Sequence, residues 1–316
     1  MSRQHCPRCT ERVGQQDRYC EACRAPLAAQ PVEIDVGVAA GVSHQGLRHP
    51  RNEDALALRR LDVSAGGTRL RRAQHSGAVA VVCDGVSSAD RSDEASEVAA
   101  EVAAEALVAA LHANGPVAAT RDAIHAAGQA VAGLASPGGA GRDAPACTVV
   151  SAVVAAGAVT VGWVGDSRAY WVPRTRTREA SPTRLTEDDS WLAQVVAAGV
   201  LTPAQAAADR RAHAITAWLG ENATSLDPHV ITFEPQSPGV VVVCTDGLWN
   251  YFGHVDELAA ALPAQATEAP LEAARRLVEI ALNRGGRDNI TVAVLPFVAP
   301  HITVTYSAGT PPGGLP

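Results

Sequence analysis

Val79-Ala-Val-Val-Cys83 runs directly into Asp84-Gly85, and Val240-Val-Val-Val-Cys244 reaches Asp246-Gly247 through Thr245. A strand with one wet face alternates apolar and polar residues, so an unbroken apolar run such as Ala78 to Cys83 predicts a strand covered on both faces. Outward from these two runs, strand-like segments cover Ile34 to Val42, Ala55 to Leu61, Cys147 to Ala155, Ala158 to Val164, Ala169 to Val172, His229 to Phe233 and Ile290 to Val298. Helical patterns cover Ser92 to Ala113, Val117 to Leu134, Asp188 to Ala198, Pro203 to Ala208 with Thr202 as N-cap, Val255 to Leu262 and Leu271 to Leu282. Strands, a helical pair, more strands and a helical return predict an α+β sandwich with the sheets inside and the helices outside.

The chain has 316 residues with 26 basic and 33 acidic side chains, a net charge of −7, and every basic residue is arginine. That balance is a poor match to a polyphosphate backbone, so nucleic acid is not the expected partner. At 47% hydrophobic and 19% charged residues the composition suits a globular core. No run of 18 or more apolar residues suggests a spanning segment, and Met1 to Cys9 lacks the apolar stretch of a signal peptide. The expectation is a cytoplasmic protein without membrane contact.

Cys6-Pro-Arg-Cys9, ten residues, then Cys20-Glu-Ala-Cys23 makes two hooks whose thiolates can converge on one tetrahedral ion. One structural zinc is expected there, with a rubredoxin-like iron site as the alternative. Five arginines against three acids leave the module at +2, which a zinc tetrathiolate cancels, favouring a structural or protein-docking role. Seven cysteines in a reducing compartment are ligands or buried thiols sooner than disulfides. Cys83, Cys147 and Cys244 read as buried apolar side chains. The expected organisation is a zinc ribbon at 1–30, with a short linker at Ala25 to Pro31. A large domain at 32–298, with loops at Ser64 to Ser76 and Ser136 to Arg142, precedes a frayed Pro/Gly-rich tail at 299–316.

Several apolar runs end in acids: Asp84-Gly85, Asp246-Gly247 and Asp166, joined by Asn52-Glu53-Asp54 ahead of one strand and Asp288-Asn289 ahead of another. A single Asp-Gly after a strand usually marks a turn. Five such motifs at the rims of stacked strands bring carboxylates together, and these repel unless cations neutralise them. Oxygen ligands without interleaved His or Cys select magnesium or manganese, and two such ions about 3.5–4 Å apart can activate water for attack on a phosphoryl group.

In sequence order Arg51-Asn-Glu-Asp54, Asp84-Gly85, Gly165-Asp-Ser-Arg168, Leu185-Thr186, Asp246-Gly-Leu-Trp249 and Arg287-Asp-Asn-Ile-Thr291 resemble the signature blocks of the metal-dependent protein phosphatases of type 2C, over roughly Val32 to Pro296. The resemblance implies a four-layer α-β-β-α sandwich that hydrolyses phosphoserine and phosphothreonine in proteins by metal-activated water at a dinuclear Mn2+ or Mg2+ centre. It implies that Asp84 bridges both ions, the Gly85 carbonyl binds one, Asp246 and Asp288 complete the ion they share with Asp84, and Glu53 binds the other ion with Asp54 supporting its waters. Asp166 would hold a third, weaker ion and Asn289 would orient ligands. The expected partners are phosphorylated proteins, substrates of bacterial serine/threonine kinases, together with a protein partner for the ribbon.

Three positions depart from the family pattern. His49, flanked by Arg48 and Arg51, stands where the family has a phosphate-clamping Arg, and His does not reproduce a bidentate clamp. Val86-Ser87-Ser88 replaces a Gly-containing stretch, with Val86 where animal members carry a His. Asp189 replaces a His after Leu185-Thr186. His49 and Arg51 stay candidate catalytic residues beside Asp84, Asp246 and Asp288. The rival expectation is a catalytically weak homologue serving as a phosphoprotein-binding regulatory module. Arg168 reads as an ion-pair former, the five tryptophans as packing, and the Arg59-Arg60 and Arg69-Arg71-Arg72 clusters as solvated loops.

Overall fold

A computed structural model describes residues 4–6, 9–13, 20–24, 30–62, 76–135, 144–177, 180–221, 223 and 226–298. The amino-terminal segment holds a small hairpin, β1 (Gln4–His5) against β2 (Arg12–Val13). Strands β3 (Val32–Asp35), β4 (Ala40–His44), β5 (Asp54–Asp62) and β6 (Ser76–Asp84) precede the long helix α1 (Ser92–Ala132). Then come β7 (Ala146–Cys147), β8 (Val149–Ala155), β9 (Ala158–Val164), β10 (Arg168–Pro173) and β11 (Thr183–Arg184). Helices α2 (Trp191–Ala197) and α3 (Pro203–Ala207) lead to β12 (Leu219–Gly220), β13 (His229–Phe233) and β14 (Gly239–Cys244). Helices α4 (Asp246–Trp249), α5 (Val255–Ala261) and α6 (Pro270–Asn283) precede β15 (Ile290–Phe297).

The large strands form two antiparallel sheets, ordered β11-β10-β14-β15-β4-β3 and β13-β9-β8-β6-β5. The unbroken apolar runs now have a physical reason. Val79, Val81 and Cys83 pack with Ala95, Ala99 and Leu107 of α1, while the intervening Ala80 and Val82 meet Val241, Val243, Ala293 and Leu295 of the other sheet. Val240, Val242 and Cys244 turn the opposite way, onto Leu277, Val278 and Ala281 of α6. Both faces of both sheets are therefore covered, and the layers run α-β-β-α as the sequence suggests. Leu107 is fully buried in the α1 layer, so Leu107→Ala is expected to cost about 2–5 kcal/mol, read as a lower urea midpoint at unchanged slope.

The structure redraws several boundaries. The single strand expected over Ile34 to Val42 is a hairpin instead. Asp35 Oδ1 accepts the Gly37 N–H at 2.7 Å, Gly37 has φ +79°, and β3 folds back on β4. The two helices expected over Ser92 to Ala113 and Val117 to Leu134 are both present within α1, parted at Gly115, whose φ 73° and ψ 165° are not helical, just before Pro116, which supplies no N–H. The helix expected from Asp188 starts at Trp191, because Ser190 caps it through the Ala193 N–H, leaving Asp188 and Asp189 for other partners. Thr202 caps α3 in a reciprocal box with Gln205.

Among the described residues α1 is long and apolar enough to cross a membrane by length and composition. Its buried alanines pack on the five-stranded sheet, and Glu97, Glu101 and Glu105 lie exposed. The expected linker, the loops beginning at Ser64 and Ser136, the Arg69-Arg71-Arg72 cluster and the 299–316 tail lie wholly or mostly outside the described residues.

Candidate metal centre

Strand register gathers the acids. Asp54, the first residue of β5, lies directly across from Asp84, the last residue of β6. Asp246 opens α4 two residues beyond the end of β14, and Asp288 precedes β15, which pairs with β14. Asp166 follows β9. The two sheets are tied together here, since Thr245 Oγ1 donates to Asp54 Oδ2 at 2.9 Å. Glu53, Asp54 and Asp166 are buried, whereas Asp84, Asp246 and Asp288 are partly open, so the acids line a hollow that reaches solvent.

The electrostatic consequences share one sign at Asp54, Asp84, Asp166 and Asp246. Burial, and then the charges of Asp246 and Asp288, push the Asp54 carboxyl up to about 8, against the downward pull of the Thr291 and Thr245 hydroxyls. Burial followed by Asp246 and Asp188 raises Asp166 to about 7, with Arg168 opposing. Burial and then Asp288 raise Asp246 to about 6, with the His213 charge and the Asn250 amide opposing. Asp84 is driven well above the carboxylate range by burial and then by Asp54, Asp246, Asp166 and Asp288. Glu53 differs: burial raises it, but Arg51 and the hydroxyls of Ser92 and Ser87 outweigh burial and hold it low.

Asp54 Oδ1 is buried without a hydrogen-bond partner, an oxygen that asks for a donor or a cation. Gly85 fits so closely between Glu53 and Ser92 that an added Cβ would lie 2.6–2.7 Å from their carbonyl oxygens. Hard oxygens, one of them orphaned, crowded with like charges, fit one or two divalent cations. They ring the hollow more loosely than the four cysteines, whose donor atoms all lie within 4.8 Å of one another.

Neighbouring side chains fix the acids. Asn289 Oδ1 accepts the Glu53 N–H at 2.7 Å, and its Nδ2 donates to the Gln45 and Arg51 carbonyls at 2.8 and 2.9 Å, stitching the 45–53 loop to the start of β15. Asn289→Ala would free that loop and is expected to lower divalent-cation affinity about 10–100-fold, read by calorimetric titration with manganese. The Gly247 position tolerates no side chain, since a Cβ would meet the Asn289 carbonyl oxygen at 1.8 Å. Thr148 Oγ1 accepts the Asp84 N–H at 3.2 Å and shares a 2.8 Å hydrogen bond with Ser167, linking the Asp84 strand end to the Asp166 loop.

Arg168 is an ion-pair former, bidentate to Asp188 at 2.6 and 2.8 Å and stacked 3.4 Å from the Trp249 ring centroid. Trp249 in turn donates its indole N–H to the Asp166 carbonyl at 2.9 Å, so it positions an acid rather than only filling space. Asp189 accepts the Gly165 N–H at 2.9 Å and pairs with His229, which stacks on Trp163. It thereby anchors the turn that presents Asp166.

His49 and Arg51 both reach the rim. His49 Nε2 lies 3.1 Å from Asp288 Oδ1. Arg51 Nε donates to Glu53 Oε1 at 2.9 Å and its guanidinium is 3.8 Å from Asp93. Sequence reading passed over Thr148, Ser167, Thr245, Thr291, Asp188, Asp93 and the supporting role of Trp249. Single hydroxyls and acids carry no spacing signal, and their roles exist only through contacts between distant strands. Cys83, Cys147 and Cys244 are buried as expected, away from the amino-terminal four, Cys6, Cys9, Cys20 and Cys23.

The family model for protein phosphatase 2C matches residues 68–280, about two thirds of the chain. The chain belongs to the protein phosphatase 2C family. The matched segment of this 2C-type phosphatase domain holds Asp84, Asp166 and Asp246, while His49, Arg51, Glu53, Asp54, Asp288 and Asn289 flank it. The serine/threonine protein phosphatase PstP of Mycobacterium tuberculosis is 30% identical over 138 residues, 43% of this chain and 24% of that protein. The serine/threonine phosphatase stp of Listeria innocua is 30% identical over 149 residues, 47% of this chain and 55% of that protein. The chain thus spans between a quarter and about half the length of these curated 2C-type relatives. A crystal structure of the catalytic domain of PstP in complex with two manganese ions superposes with a TM-score of 0.58 at 25% identity, over 82% of this chain and 97% of that one. The α-β-β-α arrangement is the 2C phosphatase fold.

Proposed function

We propose that this chain is a protein serine/threonine phosphatase that works with two manganese or magnesium ions in the Asp84 hollow. The observation that carries the reading is the convergence of Asp54, Asp84, Asp166, Asp246 and Asp288 from both sheets on one solvent-reaching hollow with an orphaned buried oxygen at Asp54. Asp84 would bridge the ions. Asp246 and Asp288 would complete one, and Glu53 with the Gly85 carbonyl would serve the other. Asp54 Oδ1 would accept a hydrogen bond from a water, and Asp166 would hold a third, weaker ion. When bound, the cations would supply Lewis acidity that makes water nucleophilic near neutral pH and draws charge from the phosphoryl oxygens.

The rest falls to side chains. Arg51 uses Nε on Glu53 and sets Nη1 3.8 Å from Asp93, which leaves Nη2 to meet a phosphoryl oxygen at the rim. Asn289, Thr148 and Trp249 hold the acids in place through the hydrogen bonds described above. No cysteine is placed to act as a nucleophile among the described acids: burial pushes the Cys83 and Cys244 thiols up and away from the thiolate form. The reading is therefore direct attack by water, with no cysteinyl phosphoenzyme. The substrates would be phosphorylated proteins in the cytoplasm, made by serine/threonine kinases. The large domain would occupy 32–298, with a separate metal-binding module at 1–30 and a tail at 299–316.

One observation favours a second reading. His49 spends Nε2 on Asp288 and offers no bidentate clamp, as a weak catalyst that binds phosphoproteins would. Release of phosphate from a phosphothreonine peptide separates the two. Turnover that requires manganese and disappears in Asp246→Asn is expected; retained peptide binding without any manganese-dependent turnover favours the second reading.

A further inference from the structure

Outside the carboxylate hollow the described residues hold a second tight donor set. Cys6, Cys9, Cys20 and Cys23 place their sulfurs within 4.8 Å of one another, with Cys6 Sγ 3.6 Å from Cys23 and Cys9 Sγ 3.4 Å from Cys20. A disulfide needs about 2.05 Å, so these are not bonded pairs. Four thiolates around a tetrahedral zinc at about 2.3 Å lie roughly 3.8 Å apart, close to the observed spacing.

The backbone gives an independent sign. Each hook closes the same way, Thr10 N donating to the Cys6 carbonyl at 2.8 Å and Arg24 N to the Cys20 carbonyl at 2.7 Å. Each ends on a non-glycine residue in the left-handed region, Thr10 at φ 59° and Arg24 at φ 52°. Two different sequences adopt one strained turn, and such strain persists only where surrounding bonds hold it. The Cys6 N–H to Glu11 carbonyl bond and the β1–β2 pairing lay the first hook beneath the hairpin.

Packing points the same way. Cys6 and Cys20 are buried, and among the described residues the apolar cluster they form holds only Cys9 and Cys23 besides. A segment of about 30 residues is too short to fold on an apolar core alone, whereas a tetrathiolate metal supplies folding free energy directly.

We propose that Cys6, Cys9, Cys20 and Cys23 bind one structural zinc ion that folds the amino-terminal module, a site separate from the carboxylate hollow and outside the segment that the family model matches. The inference does not depend on phosphatase activity. The full chain, purified without added metal, is expected to carry close to one zinc per molecule by mass-spectrometric metal analysis, and to keep it after brief dialysis against a carboxylate chelator. Cys6→Ser and Cys20→Ser should each lose it, while Cys147→Ser keeps it. Exchange of zinc for cobalt should give the intense visible bands of tetrahedral thiolate coordination, a readout that needs no variant to fold. Iron in place of zinc, disulfides among the four cysteines, or zinc retained after both substitutions would overturn the proposal.

Discussion

Stripped of divalent cations, the large domain is expected to be more stable at pH 5 than at pH 8, the reverse of what ordinary surface carboxylates would give. The sign follows from the raised acids. Asp246 near 6, Asp166 near 7 and Asp54 near 8 all keep protons in the folded state that the unfolded chain has released above about pH 4. Between those limits the native state binds more protons, so stability falls as pH rises and the penalty is complete only above about pH 8. One pKa unit corresponds to about 1.4 kcal/mol, so the coupled set is worth on the order of several kcal/mol, less than the sum of its members. Manganese or magnesium should cancel the slope, because a cation bound only to the folded state adds stability and favours the ionised acids. All five tryptophans, Trp163, Trp171, Trp191, Trp218 and Trp249, lie outside the amino-terminal cysteine module. Urea unfolding followed by tryptophan fluorescence therefore reports on the large domain. A flat or rising stability between pH 5 and 8 in chelator would remove the case for a cation-demanding cluster.

Much of this arrangement could be read from residue order. The runs ending at Cys83 and Cys244 required strands with two dry faces, and that requirement led to stacked sheets with outer helices. The ends of those runs located the acids, because the antiparallel register that sets Asp54 across from Asp84 and pairs β14 with β15, together with the Thr245 to Asp54 bond between the sheets, brings these strand termini to a common edge. What stayed hidden depends on contacts between residues far apart in the chain. Thr245 and Asp54 are 191 positions apart, and Asn289 and Glu53 are 236 apart. Nothing local to Thr245 distinguishes it from any other threonine after a strand. The β3–β4 hairpin was lost for a different reason: the apolar periodicity of Ile34 to Val42 continues through the turn, and only Asp35 with Gly37 marks the reversal. His49 shows the limit of motif reading in the other direction. Its position marked a missing arginine, while the structure shows its ring committed to Asp288.

Replacing one acid should separate the two demands that the hollow makes. Asp84→Asn keeps the shape of the side chain and both backbone bonds to Thr148, the Asp84 N–H to Thr148 Oγ1 and the Thr148 N–H to the Asp84 carbonyl. It removes a group on which the charges of Asp54, Asp246, Asp166 and Asp288 all bear. Phosphate release with manganese is expected to fall by about 10³-fold or more, since the shared ligand of the centre is gone and no neighbouring acid can take its register position. In chelator at pH 8 the same substitution should raise the urea midpoint, because the folded state no longer has to hold a proton on, or bear the charge of, a poorly solvated carboxyl that the unfolded chain ionises freely. Opposite signs in the two measurements are the mark of an acid retained for cation binding at the expense of stability. Asp62→Asn, on an exposed residue at the far end of β5, is the control and should change neither quantity measurably. If Asp84→Asn lowered activity and metal-free stability together, Asp84 would be a structural residue and the hollow would need another account.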